Sequence, residues 1–461
     1  MRVIALSGVL VVLTAGTLWA HASEQGFVLL LPTDAYIAAG GATVAVTIVL
    51  LALLPGGLAA ALFRPVAVLA TRGVTLRHLI SVLAALSLGV LVWRGLNGSR
   101  DPLVNPMPLF VWVVWWIAMV SAQGLICNHW RWSNPWTGPA AMIGRLTGMR
   151  APLRYPRRLG VWPGVVVFLA YAGFLLADPA PADPGRLAVI VGLYWYVTLA
   201  GLLVFGPAWM VRAEPLTVLM RAYGRMSLLG RARGRLAIGV PGWKVLCGPK
   251  EGLGLAVFIL LMLGSGSFDG LNETFWWMGI LGINPLEFPG RSAVIVPNLV
   301  GLLVANAALI AGFTGCLWLG ERIAGGTEPL ARVFCRYAPT ILPIALAYHI
   351  AHYLTSLLVD GQYVLKALND PLGRGADLLG LADYHVTTGF LNTPDTVKMI
   401  WLAQAGTVVA GHVIAILLAH AVAMQHIHST RRAVLGQAPL ALFMVLYTVF
   451  GLWLLASPRG A

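Results

Sequence analysis

Two histidines three residues apart, His349 and His352, interrupt an otherwise apolar run, Tyr348-His349-Ile350-Ala351-His352-Tyr353. On a helix, positions i and i+3 share a face, so the two imidazoles lie side by side. A third, His412, follows Gly411 in another apolar run, with His420 eight residues further on. Imidazole ligates zinc, copper and iron, and three imidazoles from two neighbouring helices leave a position open for water or substrate. The spacing therefore predicts a divalent metal ion, zinc, copper or iron, held by His349, His352 and His412. Pro343, six residues before His349, frees a backbone carbonyl and permits a kink there. Two other readings compete. Each His can instead donate to a carbonyl or hydroxyl on the next helix, or the set can serve a haem or a proton path.

An HxxH pair lacks the adjacent Glu that serves as general base in HExxH, so the base must come from elsewhere. Asp360 stands eight residues after His352, and Asp269 and Glu273 are four apart, on one face if helical. Asp360 and Asp269 are the catalytic candidates, placed to orient a metal-bound water if the segments carrying them fold over His352. Asp383 and His385 lie in the same long connection as Asp360. The alternative for all of these is a solvated loop charge. Asn298, Asn306 and Gln404 read as hydrogen bonds between helices. The four Cys have no CxxC spacing, and neither GxSxG nor a phosphate-binding glycine motif is present.

The elements that must position these groups are set by composition. Of 461 residues, 59% are apolar and only 10% charged. A soluble domain carries roughly 25% charged residues, so this chain cannot cover a water-facing surface. Apolar runs of about 20 residues recur along its length. The expectation is an all-α, polytopic transmembrane bundle of about ten spans, near 35–54, 78–95, 108–127, 161–177, 187–206, 253–265, 293–319, 338–358, 399–423 and 438–456. The sixth is too short to cross unaided, and Phe275 to Leu281 reads as its completion. Residues 1–22 read as a signal peptide: Arg2, an apolar stretch from Val3 to Trp19, then Ala20-His21-Ala22, cut before Ser23. Residues 23–461 then form a single integral membrane domain.

Orientation follows from Lys and Arg, which gather in cytoplasmic loops. With Ser23 outside, the inner connections hold 22 Lys and Arg and the outer segments eight, while thirteen of the seventeen acids fall outside. The net charge of +14 is therefore topological, and nucleic acid is excluded as a partner. The partner is a lipid bilayer, and the location a bacterial inner membrane with the mature amino terminus in the periplasm. Within the basic inner loop 207–252, Met210 through Leu228 reads as an interfacial helix on the lipid surface, with a site for a phosphorylated ligand as the sharper alternative.

Several stretches are similar to one family. They are His21-Ala22-Ser23-Glu24-Gln25-Gly26-Phe27-Val28-Leu29-Leu30-Leu31-Pro32-Thr33, Asn134-Pro135-Trp136, Ser267-Phe268-Asp269-Gly270-Leu271, and Leu342 to Tyr353 running on to Asp360-Gly361-Gln362. Together they resemble the bacterial polytopic membrane proteins that carry the label fenitrothion hydrolase. The resemblance covers most of the chain. It implies hydrolysis of an organophosphate triester, as a side activity of a protein with another natural substrate. A neutral, hydrophobic triester would reach a site in the outer half of the bilayer from the lipid, and a metal would activate the water. A transporter or channel for a metal ion or small solute, and a haem- or metal-binding electron-transfer partner, are the alternative expectations.

Overall fold

The computed structural model describes residues 26–53, 57–70, 76–232, 234–248, 252–287, 290–427 and 429–459. The expected signal peptide, 1–22, and its cut before Ser23 lie outside them. Among the described residues, ten apolar helices carry the architecture. In chain order they are α1 (Thr33–Leu53), α2 (Arg77–Asn97), α3 (Pro106–Leu125), α4 (Trp162–Ala177), α5 (Pro184–Phe205), α6 (Leu253–Asn272), α7 (Arg291–Ile323), α8 (Leu330–His352), α9 (Pro394–Met424) and α10 (Thr430–Ala456). All but α4 are long and apolar enough to cross a bilayer. At about 1.5 Å per residue, α4 spans about 24 Å of a core about 30 Å thick. The chain is an all-α polytopic bundle, with one helix for each of the ten expected runs.

A helix is the natural element here because lipid offers no partner to a backbone N–H or C=O. The ends are closed by side chains. Asn105 accepts from the Met107 amide at 3.0 Å before α3, and Asp183 from the Arg186 amide at 2.8 Å before α5. Burial then separates centre from rim. In the most apolar stretches of α6, α8 and α9, 78%, 72% and 61% of residues are buried, against 11% in α2. The rim helices turn large apolar side chains outward, Leu83, Leu86 and Val90 on α2 and Leu193 and Val197 on α5. That pattern suits lipid rather than water.

The two ends of the bundle differ. At one, β1 (Val66–Ala70), β2 (Leu229–Ala232) and β3 (Arg235–Ile238) form an antiparallel sheet in the order β1-β3-β2; this is the sheet end. At the other, the chain beyond α6 meets the segment after α10 through a bridge between Thr274 and Arg459.

Three expectations change. α6 runs on to Asn272, so it crosses without help from the short Phe275–Ile280 helix. Its Gly264-Ser265-Gly266-Ser267 stretch looks like a break, yet both hydroxyls are satisfied inside the bundle. Ser267 meets the Tyr447 hydroxyl at 2.6 Å, and Ser265 accepts from Asn306 Nδ2 at 3.2 Å. The expected interfacial helix from Met210 through Leu228 is not one helix. Pro207 and Pro215 start two short helices, Pro207–Arg212 and Pro215–Tyr223, because proline suits a first turn but not a helix interior. The β2–β3 hairpin and a Trp243–Cys247 turn follow. Finally, the eighth span ends at His352 instead of 358: Tyr353 leaves helical geometry at φ −95°, ψ 8°, and a separate helix, Leu354–Asn369, begins.

Candidate functional site

The most buried helices, α6, α8 and α9, carry the residues that lipid should exclude. Asp269 lies on the last turn of α6, and His349 and His352 on the last turn of α8. His352 Nε2 is 3.0 Å from Asp269 Oδ2, and both side chains are largely buried. The same oxygen accepts from the Tyr353 hydroxyl at 2.5 Å. The turn that ends α8 is what swings Tyr353 onto Asp269. Beside a carboxylate oxygen Nε2 carries the hydrogen, so in the neutral ring the lone pair sits on Nδ1. That Nδ1 is buried and without a hydrogen-bond partner, as is the hydroxyl of Tyr348, whose ring stacks on His352 with centroids 5.7 Å apart.

Both unpartnered atoms converge on Gly270. A Cβ there would sit 2.1 Å from Tyr348 Oη and 3.7 Å from His352 Nδ1. Asp269 supplies the charge and Gly270 the space, and the two are adjacent in sequence.

His349 takes a different partner. Its Nε2 donates to the Trp116 carbonyl at 2.9 Å, and its ring meets the Trp116 indole edge-on with centroids 5.2 Å apart. Trp116 belongs to the part of α3, Leu109–Met119, that winds as a π-helix. Such winding is rare and frequent at functional sites.

These side chains line a narrow cavity of about 40 Å³, walled by Trp116, Tyr171, Tyr348, His349, His352 and Asp269 among others. A single water needs about 10–15 Å³ of probe-occupied space, so the cavity has room for a few waters. A wider cavity of about 260 Å³ adjoins it and shares Asp269, His352 and Tyr353. Its rim carries Glu273, Arg291, Ser356 and Arg459, with Glu273 and Arg459 paired at 3.7 Å.

The predicted metal centre is not assembled. His412 lines neither cavity. Its Nδ1 donates to the Val408 carbonyl of its own helix at 2.9 Å, and its ring lies 6.4 Å from that of Tyr447 on α10. The cause is Gly411. A Cβ on Gly411 would lie 2.4 Å from Ala347 Cβ and 2.8 Å from the Pro343 carbonyl, so this glycine is the point where α9 touches α8. One residue on is 100° around a helix, which puts His412 beside that contact, and the residue of α9 level with His352 is Gln404, whose Nε2 donates to the Ala351 carbonyl at 3.0 Å. Among the described residues no group of three or more His, Cys, Asp or Glu is placed to hold a metal. Asp360 also stands apart, on the Leu354–Asn369 helix and lining neither cavity. Of the five candidates, the fold brings together Asp269, His352 and His349.

Tyr348, Tyr353, Gly270 and Trp116 were not singled out by spacing. The one available signal was the pair of tyrosines flanking the His pair, polar residues that lipid also disfavours.

Comparison with protein-family models, with curated proteins and with solved structures finds no match. The fold and the site define a class: a multi-pass α-helical membrane protein with a carboxylate–imidazole–phenol cluster enclosed near one end of its bundle.

Proposed function

We propose that this is a membrane-embedded hydrolase of the bacterial inner membrane, in which Asp269 and His352 act as a general-base pair on a neutral, lipophilic ester. The supporting observation is the unpartnered Nδ1 of His352, enclosed beside the Tyr348 hydroxyl and behind a larger vestibule. The 22-to-eight distribution of Lys and Arg supports an orientation with the sheet end inward and the Asp269 end facing the periplasm. The resemblance to fenitrothion hydrolases suggests the substrate class, an aryl phosphotriester.

In this chemistry Asp269 accepts from Nε2–H and fixes the ring. His352 Nδ1 takes a proton from water, and the water oxygen attacks phosphorus. The bond to the aryl oxygen breaks, and the aryloxide leaves and takes up the proton from Nδ1. The Tyr348 hydroxyl is free to donate to the phosphoryl oxygen as charge builds there. The small cavity would hold the water and the vestibule the triester. A divalent metal enters this reading only through Asp269 and His352, since His412 points elsewhere.

The test uses protein in liposomes given a neutral aryl phosphotriester, with and without a chelator. Loss of a positioned base costs about 10²–10⁴-fold in rate, so His352→Gln and Asp269→Asn should each abolish phenol release. Loss on chelation, restored by one metal, would show that the pair needs an ion. Hydrolysis no faster than in empty liposomes, or unaffected by both variants, would remove the proposal.

A proton-coupled transporter is the second reading, and one observation favours it: the narrow cavity is of water size, not substrate size. Proton uptake into protein-containing liposomes, lost in Asp269→Asn and without ester cleavage, would select it.

A further inference from the structure

A cavity of about 580 Å³ lies at the sheet end, away from the His cluster. It is lined by the segment that follows α3 with its short Trp130–Ser133 helix, the Pro215–Tyr223 helix and the residues just after it, the β2–β3 hairpin, Trp243–Cys247 and the start of α6. Five cations line it: Arg131, Arg221, Arg225, Arg231 and Lys244. No carboxylate is among the described residues that do so.

Two of these cations are tied to neutral acceptors. Lys244 Nζ donates to the Gly224 carbonyl at 3.0 Å, the Leu229 carbonyl at 2.7 Å and Ser227 Oγ at 2.5 Å. Arg221 Nη1 donates to the Val211 carbonyl at 2.6 Å. Carbonyls fix the direction of a cation without cancelling its charge. Burial pushes the Lys244 ammonium down to about 8, with the nearby Cys127 thiol opposing the shift. The cations are therefore held together against the cost of their own desolvation, a cost that an anion among them would offset.

Apart from Asn128 and Cys127, the remaining side chains of the wall are apolar, chiefly Val218, Leu229, Leu236, Leu255 and the Trp132 indole. A cationic rim over an apolar wall, at the level where spans α3 and α6 end, is the chemistry that holds a lipid phosphate.

We propose that this cavity binds a phosphate-bearing anion, with the headgroup of an anionic phospholipid or a soluble phosphate ester as its source. Guanidinium forks match phosphate oxygens in pairs. Arg131 and Arg231 are exposed at the mouth of the cavity, whereas Lys244 and Arg221 are anchored to carbonyls and supply fixed charges. The apolar wall would carry the glycerol and upper acyl chain of a lipid. This site is independent of the hydrolase reading, and its test does not use hydrolysis.

The protein is placed in phosphatidylcholine nanodiscs with a minor fraction of phosphatidylglycerol, released, and weighed by native mass spectrometry. Wild type should retain phosphatidylglycerol over phosphatidylcholine. Each basic residue near a surface is worth about five-fold in affinity, so Arg131→Gln/Arg221→Gln/Arg231→Gln should weaken retention about 100-fold. The control, Arg322→Gln/Arg332→Gln/Arg431→Gln, removes equal charge at the same end outside the cavity and should change little. Should the triple variant not fold, Arg231→Gln alone, on the hairpin, carries the test with about a five-fold loss. Added pyrophosphate separates the sources: stoichiometric displacement of the lipid identifies a soluble phosphate ester, and failure to displace it identifies the headgroup. Equal loss in the cavity and control variants would mean diffuse surface attraction and overturn the site. So would equal retention of the two lipids, with no binding of pyrophosphate.

Discussion

Replacing Gly270 by Ala probes the site through packing rather than charge. Gly270 lies in the last turn of α6, where Ala is favoured over Gly by up to about 1 kcal/mol. On helix propensity alone the variant should be more stable than wild type. The site reverses this. The new methyl would lie 2.1 Å from Tyr348 Oη, and the Tyr348 ring is buried and stacked on His352. Carbon and oxygen normally approach to about 3.5 Å, and overpacking of this kind costs about 1–3 kcal/mol. With the clash at the upper end and the propensity gain subtracted, the net loss is about 1–2 kcal/mol. The cycle with Tyr348→Phe isolates the cause. Removing the hydroxyl leaves the methyl 3.4 Å from ring Cζ, an ordinary contact. Because that hydroxyl has no partner, Tyr348→Phe alone should be neutral or mildly stabilising. In the Tyr348→Phe background, Gly270→Ala should then gain up to about 1 kcal/mol, a coupling of about 2–3 kcal/mol between two positions on different helices. Unfolding in mixed detergent micelles, followed by tryptophan fluorescence, measures all four proteins. Gly270→Ala as stable as wild type, or a penalty unchanged by Tyr348→Phe, would refute the convergence of Tyr348 and His352 on Gly270.

Three other outcomes follow from the geometry. His412→Leu should leave phosphotriester hydrolysis within about two-fold of wild type, while His352→Gln removes it, because a base contributes about 10²–10⁴-fold and His412 faces α10; equal losses in turnover assays would mean that the imidazoles act as one set. Lys244 is held at about 8 against an ordinary 10.5, so between those values the unfolded chain keeps a proton that the folded chain has lost. Stability should therefore rise with pH across that window and be flat just below it, and the thermal midpoint of Lys244→Met should lack the rise. Reporters fused after Leu229, at the sheet end, and after Asp377, in the connection before α9, should read as cytoplasmic and periplasmic; the opposite pattern would invert the proposed orientation.

The helices themselves were legible in the sequence. Excluding water from the bilayer forces every backbone polar group into a helix, so an apolar run of about 20 residues has one solution. Each expected run has its helix. The boundaries that failed did so where side chains from elsewhere decide the outcome. Gly264 to Ser267 looked like the end of a span, and the run continues because Tyr447 and Asn306 satisfy its serines. Spacing correctly placed His349 and His352 on one face. It left open which partners they would meet, because periodicity describes one helix and a partner belongs to another.

Rotation about a helix axis is the quantity that the sequence left undetermined. Whether His412 faces α8 or α10 depends on which residue of α9 makes the close contact, and Gly411 takes that role because it has no side chain to hold the helices apart. The same freedom decided that Asp269, rather than Asp360, meets His352, since α8 breaks at Tyr353 and carries Asp360 away on a new helix. Composition determined that this chain carries a series of helices apolar enough to cross a membrane, because solvation acts on every residue independently. Only the tertiary structure determined which buried polar groups pair, because pairing depends on rotations and breaks of order one residue, set by the packing of small side chains between helices distant in the chain.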